Sequence, residues 1–115
     1  MIRLIIVVAL LAGSVSAHGY GVYGAGSESC ATWTSRRSTN DPLWGGSISW
    51  VFGWVSAAGY WEVAETNDLN DSGDLAHTDH NAIAVWIDKY CSQNLVDDLE
   101  DATIVLVEEL ARRAG

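Results

Sequence analysis

Apolar positions along this chain recur at intervals of three and four, the helical period. Cys30 and Trp33 share one face of a first segment that Ser27 or Ser29 can cap and that runs toward Arg37. A second segment starts at Asn40 or Asp41, with Pro42 at a first-turn position where its missing N–H costs nothing. It carries Trp44, Ile48, Val51, Phe52 and Val55 on one stripe, and Trp50, Trp54, Ala57 and Trp61 on another. A helix apolar on most of its surface is expected at the centre of a fold. Large aromatic side chains supply most of the area a small core buries, so the second stripe is also read as core. Should that stripe face a partner instead, Trp50, Trp54 and Trp61 are the binding residues.

Residues 62–78 are polar and acidic and read as a loop, with Asn67, Asn70 and Gly73 as turn formers. A third segment opens near Thr78 or Asp79. Its apolar face is Ala82, Ile83, Trp86, Ile87 and Tyr90, and Cys91 lies at its end. After the connection Ser92-Gln93-Asn94, a fourth segment runs from about Leu95 to Arg113. Leu99, Ala102, Leu106 and Leu110 form its inward stripe, with Thr103 and Val107 beside it. Asp97, Asp98, Glu100 and Asp101 crowd its start and Arg112 and Arg113 its end, the order that suits a helix dipole. The pattern predicts an all-α fold, a compact bundle of about four helices forming one domain over residues 27–115. It shows no strand and no internal repeat.

The first 17 of the 115 residues read as a secretory signal peptide. Arg3 precedes an unbroken apolar run over residues 4–12, and Val15-Ser16-Ala17 offers small residues for cleavage. That run is far short of the ~20 residues needed to cross a bilayer. Cleavage after Ala17 leaves a chain beginning at His18, with no later segment apolar and long enough for a membrane span. Residues 18–26, rich in glycine, read as a flexible leader. The expected location is periplasmic or secreted. In an oxidising compartment the two cysteines, Cys30 and Cys91, are expected to pair. The bridge ties the start of the first helix to the end of the third. No Cys-x-x-Cys spacing points to redox chemistry.

Charge narrows the partners. Fifteen acids against six bases give a net charge of -9. That excludes nucleic-acid binding through phosphate neutralisation and disfavours an anionic membrane surface.

Candidate chemistry is sparse. Residues 68–79 partly match an EF-hand loop, with Asp68, Asn70, Ser72, Asp74 and Asp79 as oxygen donors and Gly73 at the turn. Asp79 stands where the longer Glu belongs, Ala76 offers no side-chain oxygen, and the preceding segment is too polar for a good incoming helix. The reading is therefore an acidic surface loop, with no metal. His77 and His80, three apart, and His18 form no closed ligand set, and they read as polar residues of the surface. No Gly-x-Ser-x-Gly elbow and no phosphate-cradling glycine loop is present, and adjacent carboxylates such as Glu108/Glu109 point apart on a helix. No cofactor is expected, and nothing demands an enzyme.

Cys30-x-x-Trp33, the aromatic residues 50–60, the segment Ala84-Val85-Trp86-Ile87-Asp88-Lys89-Tyr90-Cys91, then Asn94-Leu95 and residues 102–110, carry a resemblance. In this order they resemble small exported helical proteins with one disulfide. One branch is the Tai-type immunity family, which guards the periplasm against type VI secreted peptidoglycan amidases; the HdeA-type acid-stress chaperones are more distantly similar. Leu95 stands where the group often carries proline. The resemblance implies a binding protein that acts on another protein, first as an immunity-type inhibitor of a peptidoglycan hydrolase. The alternatives are an acid-stress chaperone and a calcium- or metal-binding envelope protein, and a homodimer stays open.

Overall fold

The structure, a computed structural model, describes residues 20–66 and 78–114, with 63–66 and 114 in backbone only. It is all-α. A short 3-10 turn, Gly24–Ser27, is followed by α1 (Cys30–Thr39), α2 (Trp44–Thr66), α3 (His80–Gln93) and α4 (Leu99–Ala114). No strand occurs among the described residues. Residues 1–17, read from sequence as a signal peptide, together with His18, His77 and the candidate loop donors Asp68, Asn70, Ser72 and Asp74, lie outside them.

Local chemistry sets each boundary. Ser29 caps α1 by accepting the Thr32 N–H at 3.2 Å. Asn40 ends it in the left-handed conformation, φ 52°, which asparagine tolerates. Asn40 thus closes the first helix rather than opening the second. Asp41 takes the opening role, its carboxylate accepting the Leu43 N–H at 2.8 Å. α2 runs past Trp61 to Thr66, beyond the expected loop boundary at 62, because Glu62, Val63, Ala64 and Glu65 sustain a helix. Asp79 caps α3 through the Ala82 N–H at 3.0 Å. α4 starts at Leu99, later than the expected Leu95. The residues between are held instead by backbone pairing. Cys30 donates to the Asp97 carbonyl at 2.7 Å, Ala31 to Leu95 at 3.1 Å, and Leu99 to Glu28 at 2.8 Å.

That pairing lies beside the disulfide. Cys30 and Cys91 are bonded, with Cα atoms 4.7 Å apart, and join the first residue of α1 to the last turn of α3. Around them the core gathers Trp33, Val51, Val55, Ile83, Ile87, Leu99, Ala102, Leu106 and Leu110. The α4 stripe is buried as the periodicity predicts. α4 is also the hub: it touches α1, α2, α3 and the 3-10 turn. The central position expected for α2 therefore belongs to α4. α2 fully buries only the narrow face of Ser47, Val51, Val55 and Gly59; Trp44, Ile48, Trp50, Phe52 and Ala58 flank it half-buried against the core, and the far side is exposed.

Residues 20–26, read from sequence as a leader, pack against the bundle. Gly26 is buried beneath Trp50, so close that an added Cβ would meet the indole ring at 2.1 Å. The Trp50 indole N–H donates to the Tyr23 carbonyl at 2.8 Å. Tyr20 donates its phenol to Glu100 at 2.5 Å. Glycine here supplies the close approach that any side chain would block. Glu100, one of the acids expected to complement the dipole at the start of the fourth helix, is fully buried under this contact.

Candidate functional site

The outward face of α2 is the feature least explained by folding. No charged residue occurs between Asp41 and Glu62. A surface helix ordinarily carries charge on its solvent side. Here Gly45, Ser49, Gly53 and Ala57 follow at intervals of four and all are exposed. An added Cβ at Gly53 would meet nothing.

Aromatic rings border this small-residue strip. Trp50 and Trp54 stack with centroids 5.2 Å apart, and Tyr20 reaches Trp54 at 6.4 Å. One turn further, Tyr60 and Trp61 are 67% and 63% exposed, their rings edge to face at 5.5 Å. Trp54, Ala57, Ala58 and Trp61 line an open cavity of about 300 Å³. The stripe of Trp50, Trp54, Ala57 and Trp61 was expected in the core. Only part of it reaches the core: Trp50 packs half-buried against the core and, with Trp54, lies under the 20–26 segment, whereas Ala57 and Trp61 are exposed. The helical period separates the two stripes around the helix, and the fully buried positions are on the valine stripe.

A second cluster lies where α1 meets α3. Arg37 holds Asp88 through both carboxylate oxygens, and its guanidinium sits 4.6 Å over the Trp44 ring. Trp44 meets the buried Trp33 edge to face at 4.5 Å. Arg36 pairs with Glu28, one contact being 3.2 Å, and donates to the buried Ser47 hydroxyl at 2.9 Å. These contacts tie α1, α2 and α3 together, and each charged group in them is used.

At the α3–α4 turn, Tyr90 donates its hydroxyl to Asp97 at 2.7 Å. That bond, with burial and the nearby carboxylate charges adding to it, pushes the phenol up to about 12. The bond to Glu100 likewise raises Tyr20 above the ordinary phenol value. Sequence reasoning missed both pairs: Tyr20 and Glu100 lie 80 residues apart, and Tyr90 and Asp97 meet only across the turn between two helices.

The remaining candidates are placed as follows. Asp79 is the α3 cap, its carboxylate engaged by the Ala82 N–H. His80 stacks on Phe52 at 4.5 Å. Among the described residues, no group of three or more His, Cys, Asp or Glu side chains is placed to hold a metal ion. No helix among them is long and apolar enough to cross a membrane. No protein family, curated protein or solved structure matches this chain.

Proposed function

We propose that this chain is a non-catalytic protein-binding module of the cell envelope, and that it docks a partner on the outward face of α2. The observation that carries the reading is the exposed pair Tyr60 and Trp61 beside the Trp54–Ala58 cavity, on a helix face without charge. Tryptophan and tyrosine in such a setting are the residues that dominate binding hot spots. A disulfide across the bundle supports a rigid platform, and it is compatible with an oxidising, exported location. The net charge of -9 favours a basic partner and speeds its encounter. The resemblance to immunity-type proteins then makes a secreted peptidoglycan hydrolase the partner of choice, inhibited by occlusion of its active site.

The test is titration of the purified protein into a panel of basic, secreted peptidoglycan amidases, with sacculus digestion as readout. Stoichiometric inhibition is expected for at least one enzyme, with about tenfold or greater loss of affinity in Trp61→Ala. Absence of binding across the panel overturns the hydrolase partner. Inhibition that is indifferent to Trp61→Ala and Tyr60→Ala overturns the α2 surface. Suppression of client aggregation at pH 2, with loss of native packing, replaces the reading by the chaperone one.

A further inference from the structure

Bases are scarce in this protein, and among the described residues one of them has no carboxylate partner. Arg36 is held by Glu28, Arg37 by Asp88, and both Arg112 and Arg113 by Glu109. Lys89, the only lysine in the sequence, has no carboxylate partner among the described residues. It stands on α3 at the rim of a cavity of about 270 Å³ between α3 and α4. Trp86, Tyr90, Gln93 and Glu109 complete the lining.

The chemistry of that lining is specific. Trp86 and Tyr90 are one helical turn apart, their ring planes within 13° and their centroids 5.7 Å apart. Tyr90 is locked in place by its bond to Asp97, so the platform is preorganised. The π faces are electron-rich and suit the partially positive C–H face of a saturated ring. The Gln93 amide is uncommitted and offers both donor and acceptor. Glu109 carries the one carboxylate in the cleft lining, and Arg112 and Arg113 neutralise it, so it accepts hydrogen bonds without repelling an anion. Lys89 supplies a positive charge that no carboxylate among the described residues holds, and the two arginines on the single Glu109 leave a second beside it. The volume, just under the usual range of about 300–1,000 Å³ for ligand sites, suits a single ring-sized group.

We infer that the α3–α4 cleft binds a pyranose that bears a carboxylate, that is, an acidic sugar residue. Such a ring meets every group present: its C–H face covers Trp86 and Tyr90, its carboxylate pairs with Lys89, and its hydroxyls donate to Glu109 and exchange hydrogen bonds with Gln93. An aromatic acid covers the rings and pairs with Lys89, but it brings no donor to Glu109. A neutral sugar leaves Lys89 unmatched. The cleft is separate from the α2 face and does not depend on it.

The test is titration of the purified protein with trigalacturonic acid, followed through backbone amide and tryptophan-indole resonances. Maltotriose, benzoate and acetate serve as comparison probes. Saturable shifts confined to residues 86–93 and 109–113 are expected with the acidic sugar, at least tenfold weaker binding with maltotriose, and the same loss for the acidic sugar in Lys89→Gln. Gln93→Ala, an exposed substitution with little bearing on folding, is expected to weaken binding severalfold. Absence of saturable shifts overturns the site. Equal shifts with acetate or benzoate reduce it to an adventitious anion contact and overturn the sugar. Equal affinity for maltotriose, with no effect of Lys89→Gln, overturns the role of charge.

Discussion

Trp33 donates its indole N–H to Asp88 across 2.8 Å, joining the buried heart of α1 to the rim of α3. The same carboxylate also binds Arg37. The two bonds differ in what they protect. Trp33 is 1% exposed, so its N–H has no water to fall back on, whereas the Arg37 pair is open to solvent. Asp88→Ala is expected to destabilise the fold by ~1–3 kcal/mol, the cost of a buried donor left unmet. Asp88→Asn keeps an acceptor for the indole and loses only an exposed ion pair, so its cost is expected at ~1 kcal/mol or less. Urea denaturation of both variants checks the difference. Equal costs would show that the ion pair, not the indole bond, carries the contribution.

The disulfide spans a sequence separation of 61 residues, and both sulfur-bearing residues are fully buried. On the chain-entropy account, removing it by Cys30→Ala with Cys91→Ala costs ~4 kcal/mol. That is a large part of what a domain this size holds in reserve, so a steep fall in urea midpoint is expected. Burial adds a kinetic expectation. Reductant under native conditions should leave the thiols unalkylated, and reductant with urea should expose both. Rapid alkylation without denaturant would contradict the buried placement.

What the sequence reveals of this architecture depends on contrast along each helix. α4 sets Leu99, Ala102, Leu106 and Leu110 at helical spacing, with the charged Glu100, Asp101, Glu108 and Glu109 between them toward either end, so its buried stripe was legible from spacing. Ser29 and Asp79 were each legible as one of two candidate caps, with Ser27 and Thr78, because a short polar side chain precedes an apolar period. α2 offers no such contrast. Val51 and Trp54 are both apolar, and only the tertiary arrangement, with α4 as hub, decides that the valine side is buried and the tryptophan side is not. Gly26 carried a misleading signal. Glycine reads locally as freedom of the chain, yet here it is required by Trp50, which lies in the next helix but one. Cys30 and Cys91 needed only a compartment argument to be paired. The candidate surface was named in part through Trp50, Trp54 and Trp61, whereas the α3–α4 cleft depends on which base remains unpaired, and that is decided by tertiary contacts.

Gly26 provides a direct probe of the 20–27 segment. A Cβ there would meet three atoms of the Trp50 ring at 2.1–2.5 Å, so Gly26→Ala must push the indole aside or lift the segment. Either movement strains the Tyr23–Trp50 bond, and a loss of ~1–3 kcal/mol is expected, the range for overpacking. In a Trp50→Leu background the ring is gone and the cost should shrink below ~0.5 kcal/mol. A double-mutant cycle by thermal or urea unfolding measures the coupling. Purely additive costs would place the segment elsewhere.

Tyr90 gives the fold an alkaline limit. Its phenol is pushed from the ordinary 10.0 up to about 12 because the hydroxyl donates to Asp97 and cannot ionise without breaking that bond. A folded-state value above the unfolded one means the folded state holds the proton longer. The contribution is therefore complete below pH 10, the unfolded value, and is lost as pH rises through about 12. Tyr20, raised by its bond to Glu100, adds to the same trend. Tyr90→Phe is expected to cost ~1 kcal/mol at neutral pH, the net value of one hydrogen bond. It should also flatten the decline of stability above pH 10 relative to the parent chain, leaving the share due to Tyr20. Urea midpoints taken from pH 7 to pH 11.5 separate the two effects, since a mere packing loss lowers the whole curve without changing its slope. An unchanged slope in Tyr90→Phe would show that the phenol titrates alike in both states, and that the Asp97 contact does not hold its proton.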